Sequence, residues 1–445
     1  MVFVIITLLA IVLYIRDYKI PALLLFFFFL TSGLYLIPEE ITEFAFISKG
    51  VDYAFFILLG IITVDSLFVK QYLKPDEYTK YLFIFGSFIA ICALYSKYSV
   101  GLSWPEIIRT CRYHFFWAAY FVFRNMEKTQ LERLLKYLFD ATVFISVIYL
   151  LQIAVDESIL VGETTSGISI FGIEMRRYYN QPNMIHFFSF MAIYNNPYKG
   201  PKKIVTSILL VLGMIGPLHR SLLGAFFIAV SIGYILRLPR LKRIKVVSVV
   251  SFLVLCVVVY GGTKFLKSRT FMDLQYVASG NFIDSDIVDW NEEGATFTFR
   301  IAHLLERNQY LLEHPQTMIL GAGLIPEDSK KVEDMFDFKV GLVEELLDRT
   351  SQLETGDISY SILLLRLGYA GTLLNLLLFI YLMVFFYKKR ENRYGFFSFL
   401  YLVLVFIVSF FSANLTSPVL FLLPLISYLI IKKTEQESIE LIAGK

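Results

Sequence analysis

Three basic side chains recur at helical spacing in the polar stretch that runs from residue 263 to residue 357. Arg300, His303 and Arg307 occupy positions i, i+3 and i+7, so they share one face of a helix predicted over residues 298–312. A guanidinium group binds phosphate oxygens in pairs, and an imidazole can take up or release a proton. The stretch could therefore bind a phosphorylated substrate and assist proton transfer. An ordinary amphipathic helix with solvated charges is the alternative, and the stretch alone favours it.

Further arginines occur where an apolar chain would otherwise avoid charge, namely Arg176, Arg177, Arg220 and Arg366. An arginine at the centre of a bilayer costs about 2.5–3.5 kcal/mol, although one near the interface can snorkel at much lower cost. Snorkelling or a structural ion pair is the alternative interpretation of Arg366, and likewise of Arg109. Taken together, the arginines suit a diphosphate, whose oxygens match the planar guanidinium group.

The elements that must position these side chains are membrane-spanning helices. The chain is 57% apolar and 17% aromatic, with a mean hydropathy of +0.63, and these values exclude an ordinary soluble domain. A net charge of +3 gives no indication of nucleic acid as a partner. The three cysteines lie in apolar segments, so the sequence offers neither a disulfide framework nor a cysteine-rich metal site. We expect an all-α polytopic bundle that forms a single domain over residues 1–445.

About twelve or thirteen helices are long and apolar enough to be candidate spans. They are predicted near residues 2–15, 20–37, 51–69, 80–96, 106–123, 137–154, 184–195, 203–217, 220–236, 246–262, 358–387, 396–411 and 418–431. Every second connection is rich in lysine and arginine, as in the cluster between residues 237 and 245. Because basic connections remain in the cytoplasm, the N-terminus is predicted outside and the C-terminus inside.

The 263–357 stretch then forms one large extracytoplasmic loop. It carries 18 acidic against 9 basic residues, which fits an exposed surface. A hydrophilic insertion of this size on one side of a polytopic protein predicts that the chemistry takes place there. His314-Pro315 and Gly321-Ala322-Gly323 follow the predicted helix over residues 298–312, which we call the basic helix. They form a helix stop and a tight turn, whose simplest interpretation is turn chemistry.

The order of these pieces resembles the O-antigen polymerase and O-antigen ligase superfamily over roughly residues 170–431. The resemblance rests on Arg176-Arg177-Tyr178-Tyr179-Asn180-Gln181-Pro182-Asn183, His219-Arg220-Ser221-Leu222-Leu223-Gly224, Arg300, His314-Pro315 through Gly321-Ala322-Gly323, Asp357-Ile358-Ser359-Tyr360 and Leu367-Gly368-Tyr369-Ala370-Gly371. It implies a polytopic enzyme of the cytoplasmic membrane that transfers glycans from undecaprenyl diphosphate on the extracytoplasmic face. It also implies lipid-linked oligosaccharide substrates, and a chain-length regulator and a flippase as partners. Neither a cofactor nor a metal is expected.

Within that superfamily, one position favours a polymerase. Ligases usually carry a histidine where this chain has Asp357, although a carboxylate can also act as a base. The resemblance implies a repeat-unit polymerase for O-antigen, capsule or exopolysaccharide, with Arg220 and Arg300 binding the diphosphate. Arg176, Arg177 and Arg366 would support them. The candidate bases are His303, His314 and Asp357, of which the resemblance favours Asp357.

Three other interpretations remain open from the sequence. A ligase would transfer finished polymer to a lipid A core, and a transporter or flippase would move the lipid-linked oligosaccharide without chemistry. Transporters commonly contain internal repeats, and no matching half-sequence is evident here. The third interpretation, a structural membrane scaffold, leaves the outer arginines unexplained. For Asp357 alone, a helix cap without any catalytic role is the alternative.

Overall fold

The computed structural model describes residues 2–44, 49–68, 76–162, 164–170, 173–239, 241–242, 245, 295–340, 342–344, 349–355 and 357–443. Helices dominate this part of the chain. The helices are Val2–Ile15, Lys19–Leu30, Ser32–Tyr35, Glu39–Thr42, Gly50–Phe68, Glu77–Tyr98, Trp104–Phe115, Ala119–Arg124, Lys128–Val155, Met184–Asn195, Gly200–Ile215, Arg220–Arg237, Ala295–Glu313, Thr317–Leu320, Lys331–Met335, Ser359–Lys388, Arg393–Val408 and Pro418–Ala443. The helical class predicted from the sequence is confirmed.

Two short antiparallel hairpins add strands that the all-α prediction did not include. Thr164–Ile170 pairs with Ile173–Tyr178, and Leu342–Glu344 pairs with Arg349–Ser351. Both hairpins lie in connections between long helices, where periodicity of apolar residues gives little signal. They do not alter the layout of the bundle.

Four of the described helices are long and apolar enough to cross a membrane, and they are Gly50–Phe68, Glu77–Tyr98, Lys128–Val155 and Ser359–Lys388. Shorter apolar helices accompany them, and the predicted span 246–262 lies outside the described residues. Large apolar side chains such as Phe144 and Leu151 are exposed on the surface of Lys128–Val155. Exposed apolar faces of this kind are typical of a membrane protein, and the number of spans remains a prediction.

Local signals fix where several of the long helices begin. The Asp76 side chain accepts a hydrogen bond from the Thr79 backbone at the start of Glu77–Tyr98, and Ser103 pairs with Glu106 in the same way before Trp104–Phe115. Such capping boxes satisfy backbone N–H groups that the first helical turn leaves unpaired. The sequence therefore specifies these boundaries locally, before any packing is considered.

The connections gather at two ends of the bundle, in the grouping that the charge pattern predicts. We call these ends outer and inner after that prediction. Contacts at the outer end are Tyr35 with Asn183, Ser96 with Leu324 and Ser359 with Ser412. Contacts at the inner end are Asp65 with Asn125, Lys128 with Glu437 and Lys389 with Glu435. The described part of the 263–357 stretch packs against the outer end.

Candidate functional site

The Arg300 guanidinium and the Asp357 carboxylate form an ion pair, although 57 positions separate them in the chain. Arg300 projects from the Ala295–Glu313 helix, and Asp357 precedes the Ser359–Lys388 helix. Arg300 Nη2 lies 3.2 Å from Asp357 Oδ1, and the Asp357 side chain keeps 34% of its surface exposed against 12% for Arg300. A carboxylate exposed to that degree can accept a further hydrogen bond from a substrate. The structure thus joins one predicted phosphate-binding residue to one predicted base.

The capping interpretation of Asp357 does not fit the structure. The residue at the N-cap of the Ser359–Lys388 helix is Ile358, and the helix has no side-chain cap hydrogen bond. The backbone N–H of Asp357 donates to the Thr355 hydroxyl at 3.1 Å, while its carboxylate accepts from Arg300. A role in helix capping therefore does not account for the carboxylate at this position.

Two glycines set the position of the Ser359–Lys388 helix against the preceding loop. Gly368 interrupts the helix with a φ of 63°, and Gly321 in the facing turn has a φ of 71°. A Cβ on Gly368 would lie 2.6 Å from Gly321 N, and a Cβ on Gly321 would lie 2.5 Å from the Arg366 carbonyl oxygen. The interruption also frees the Leu365 carbonyl, which accepts from Ala322 N at 2.7 Å. The Gly-Ala-Gly turn is therefore a docking point for the kinked helix.

Arg307 is fully buried, so the solvated-charge interpretation of this helix is wrong. Its guanidinium donates to the carbonyl oxygens of Val340 at 2.5 Å and Gln352 at 2.7 Å, and forms an ion pair with Glu306. Burial lowers the pKa of Arg307 to about 10, so the side chain remains charged near neutral pH. Three acceptors compensate for the loss of hydration. Arg307 thereby ties the basic helix to the segments around residues 340 and 352.

His303 is buried beside Arg307 and does not reach solvent. Its Nδ1 lies 2.6 Å from the Ser361 hydroxyl, and its Nε2 has no hydrogen-bond partner among the described residues. Burial, and secondly the charge of Arg307, lower the pKa of His303 to about 2. The imidazole is therefore neutral and enclosed, which disfavours it as the base for a substrate hydroxyl.

His314 lies at the opposite end of the same helix from Arg300. At about 1.5 Å per residue, the 14 residues between Arg300 and His314 correspond to roughly 21 Å along the helix axis. Its ring stacks on Tyr310 with the centroids 4.3 Å apart, and its Nδ1 lies 2.8 Å from the Tyr310 carbonyl oxygen. The structure therefore does not bring His314 together with the Arg300–Asp357 pair.

A cavity of about 970 Å³ opens at the outer end of the bundle. Four connections and the helices Trp104–Phe115 and Ser359–Lys388 line it, and its polar lining includes Tyr35, Lys49, Thr110, Tyr113, His114, Asn183, Glu354, Thr355, Arg366 and Asn414. We call this space the Arg366 cavity. Its volume and mixed lining of hydroxyl, amide and charged groups can accommodate a sugar bearing several hydroxyls.

Arg366 is held in the wall of this cavity by two described partners. Its Nε donates to the Ile325 carbonyl at 3.0 Å, and its Nη2 contacts Glu354 Oε1 at 2.5 Å. The Glu327 carboxylate in turn accepts the backbone N–H groups of residues 352, 353 and 354. Arg366 therefore has a fixed orientation and forms the structural pair that the sequence allowed, and it is also one of the residues that line the cavity.

The Arg300–Asp357 pair lies next to the wall of the Arg366 cavity. Asp357 hydrogen-bonds through its backbone to Thr355, which lines the cavity. Arg300 lies 5.6 Å from the ring centroid of Phe411, and the next residue, Ser412, lines the cavity as well. Three of the predicted site residues, Arg300, Asp357 and Arg366, are thus brought to one region.

The remaining predicted arginines are placed differently. Arg176 is exposed and pairs with Asp156, with Nε 3.7 Å from Oδ2. Arg177 lies in the Ile173–Tyr178 strand and Arg220 begins the Arg220–Arg237 helix, but their side chains lie outside the described part of the structure. Within the 176–183 segment, Asn183 lines the Arg366 cavity. Asn180 is buried and forms hydrogen bonds with Gln152 and with the Leu160 carbonyl.

Sequence reasoning missed Glu354, Lys49 and Tyr35 as residues of the cavity. Lys49 and Glu354 lie in connections, whereas Tyr35 ends the short Ser32–Tyr35 helix inside the predicted span 20–37, and no helical spacing links any of the three to Arg366. The only available signal was the prediction that their connections share one side of the membrane. Among the described residues, no group of three or more His, Cys, Asp or Glu side chains could hold a metal ion.

Comparison of the chain with known protein families and with curated proteins gives no match.

Proposed function

We propose that the chain is a membrane glycosyltransferase that polymerises oligosaccharide repeat units carried on undecaprenyl diphosphate. The observation that carries the proposal is the Arg366 cavity, which combines a fixed guanidinium with polar groups and lies beside the Arg300–Asp357 pair. A lipid-linked glycan requires both features, because its sugars need hydrogen-bonding groups and its diphosphate needs cations.

The reaction forms one glycosidic bond and breaks one bond to phosphate. A hydroxyl of the incoming lipid-linked repeat unit attacks the anomeric carbon of the growing chain and gives its proton to Asp357. The bond between the anomeric carbon and the diphosphate oxygen breaks, and its electron pair leaves with undecaprenyl diphosphate. No protonation of this leaving group is required, because it departs as an anion.

Arginines stabilise the charge that grows on the departing diphosphate. Arg300 and Arg366 are the described candidates, with Arg220 at the start of its helix and Arg176 or Arg177 in support. Because Asp357 pairs with Arg300, one guanidinium can orient the base and also contact the diphosphate. This coupling is consistent with transfer within a single site.

The proposed location is the cytoplasmic membrane, with the Arg366 cavity on its extracytoplasmic face. Two facts support this orientation: the outer end carries the described part of the predominantly acidic 263–357 stretch, and the inner end carries the basic connections. The partners in this proposal are the lipid-linked substrates, membrane lipid, a chain-length regulator and a flippase. The product is an O-antigen, a capsule or an exopolysaccharide.

The test uses purified protein in nanodiscs with a synthetic lipid diphosphate repeat unit, and separates the products by size. A ladder of two and more repeats is expected. Arg366→Ala should remove the ladder, whereas Arg109→Ala, which breaks an exposed pair with Asp328 at the same end, should retain it.

Other outcomes distinguish the competing functions. Transfer only after addition of a lipid A core acceptor would identify a ligase, and movement of intact substrate across vesicles without product would identify a transporter. In cells that lack the chain, single-repeat product is expected for a polymerase. Full-length polymer remaining on the carrier in those cells would contradict the proposal.

A further inference from the structure

A second pocket lies at the inner end of the bundle, away from the Arg366 cavity. It has a volume of about 350 Å³ and is lined by Leu236, Arg237, Arg390, Glu391, Arg393 and Phe396. We call it the arginine pocket. It joins the end of the Arg220–Arg237 helix to the connection before Arg393–Val408. Three guanidinium groups and one carboxylate leave the lining with a net positive charge.

Two of the three guanidinium groups of this pocket, those of Arg237 and Arg390, lie over aromatic rings. Arg237 lies 4.6 Å from the Tyr194 ring centroid and 4.5 Å from that of Phe396, and Arg390 lies 4.7 Å from that of Tyr387. Among the described residues, no ion pair involves any of the three arginines, in contrast to Lys389, which pairs with Glu435. Stacking fixes a guanidinium plane and leaves its N–H edge available to an oxyanion.

The position of Arg393 has no explanation in helix stability. It is the first residue of the Arg393–Val408 helix, and a cation at a helix N-terminus is electrostatically unfavourable. An anion bound between this residue and Arg237 would reverse the sign of that interaction. Together with the net positive charge of the pocket lining, this placement favours a bound anion.

The surroundings of the pocket indicate that this anion comes from the bilayer. Tyr234, one turn before Arg237, and Tyr387, three residues before Arg390, are both exposed. Phe227 and Ile228 are exposed earlier on the same helix as Tyr234. Exposed tyrosines at the end of an exposed apolar face are typical of the membrane–water interface. Basic pockets between helices at this level bind the head groups of anionic lipids.

We propose that the arginine pocket binds the phosphate group of an anionic phospholipid of the inner leaflet. Arg237, Arg390 and Arg393 contact the phosphate oxygens, and the exposed apolar face of the Arg220–Arg237 helix contacts the acyl chains. The site is independent of the chemistry proposed at the outer end, since it uses none of the residues assigned there.

Native mass spectrometry of the full chain in detergent, titrated with phosphatidylglycerol, tests the assignment. Wild-type protein should retain this lipid in preference to phosphatidylcholine with the same acyl chains. Arg393→Gln and Arg237→Gln should each weaken retention about fivefold. Arg133→Gln is the matched control, because it removes one exposed charge from the same end of the bundle. Arg393→Gln tests binding without disturbing the fold, because the Arg393 side chain is exposed and its loss leaves Arg237 in place over its aromatic rings.

Inorganic phosphate distinguishes the two sources of the oxyanion. Weak competition by millimolar phosphate, with phosphatidylglycerol still preferred, supports a lipid site. Binding of phosphate without any preference for phosphatidylglycerol over phosphatidylcholine would overturn it. Equal retention of phosphatidylglycerol by wild type, Arg393→Gln and Arg133→Gln would overturn it as well.

Discussion

Arg300 Nη2 lies 3.2 Å from Asp357 Oδ1, and this contact links the basic helix to the start of the longest described helix. The ion pair connects the two kinds of group that glycan transfer from a diphosphate needs, a cation and a proton acceptor. Each residue also restrains the other, because a displaced Asp357 would leave a mostly buried guanidinium without its partner. The pair should therefore behave as one functional unit.

Removal of either partner should abolish polymer formation. Arg300→Ala, Asp357→Ala and Asp357→Asn are each expected to reduce turnover by at least about a hundredfold, because a diphosphate contact or the proton acceptor is lost. The double alanine variant should be little worse than either single variant, as expected for coupled residues. Turnover of purified protein on the synthetic lipid diphosphate is the measurement.

Arg109→Ala is the control for that series. Its ion pair with Asp328 lies at the same end of the bundle, but the two side chains are 38% and 54% exposed, so its loss should cost at most about 1 kcal/mol. Asp357→Asn with turnover within a few-fold of wild type would exclude the carboxylate as the base. Additive losses in the double variant would show that the two residues act separately.

The sequence predicted Arg300 and Asp357 as site residues, but it did not predict the contact between them. Residue types and order singled out Arg300, Asp357 and Arg366. The contacts between them cross a stretch of chain that includes residues outside the described ranges, and no periodicity carries that information. The burial of His303 and Arg307 was missed for a related reason. An i, i+3, i+7 stripe of basic residues is typical of a solvated helix face, and the acceptors at Val340 and Gln352 that allow Arg307 to be buried are distant in sequence.

Gly368→Ala should destabilise the protein by about 3 kcal/mol. The substitution places a Cβ 2.6 Å from Gly321 N and forces alanine to adopt a φ of 63°. Gly86→Ala is the control, because a Cβ there meets nothing within 4 Å and replaces glycine inside a regular helix. It should be neutral or stabilising by up to about 1 kcal/mol. Thermal unfolding in detergent measures both, and equal midpoints for the two variants would refute the docking role of the turn.

Arg307→Ala should be among the most destabilising substitutions in the basic helix, at about 3–5 kcal/mol. It removes a buried cation from two carbonyl oxygens and takes away the cationic partner of Glu306, whose carboxylate still accepts the backbone N–H groups of Lys339 and Val340. Arg307→Lys should recover only part of this loss, because an ammonium group cannot reproduce the geometry of the planar guanidinium. The midpoint of thermal unfolding is again the measurement. Full recovery in the lysine variant would show that charge alone is required.

The helical framework itself was largely accessible from the sequence. Apolar runs predicted the positions of most of the described long helices within a few residues, because helices in a bilayer must be continuous and apolar. Lys128–Val155 begins nine residues before the predicted span 137–154, and Pro418–Ala443 ends twelve residues after the predicted span 418–431. The break of the 104–124 region at Phe116–Ala118 was not predicted. Neither was the interruption at Gly368, since its cause is the approach of the distant Gly321 turn. Packing partners, rather than local propensity, decide such features.

Stability should fall in mild acid because of His303. Unfolded histidine has a pKa near 6.5, whereas burial and the charge of Arg307 lower the pKa of folded His303 to about 2. Between these values the unfolded chain binds a proton that the folded chain excludes, so the contribution of His303 is fully present above pH 6.5 and is lost progressively as the pH falls toward 2. From pH 6.5 to pH 5 the loss amounts to about 2 kcal/mol.

His303→Gln should lower the unfolding midpoint at pH 7.5 and flatten its decline between pH 6.5 and pH 5. Ser361→Ala is the matched control, because it removes the hydrogen bond to Nδ1 but retains the buried imidazole, so the decline should persist. Midpoints that fall in parallel for wild type and His303→Gln would assign the acid sensitivity to other groups.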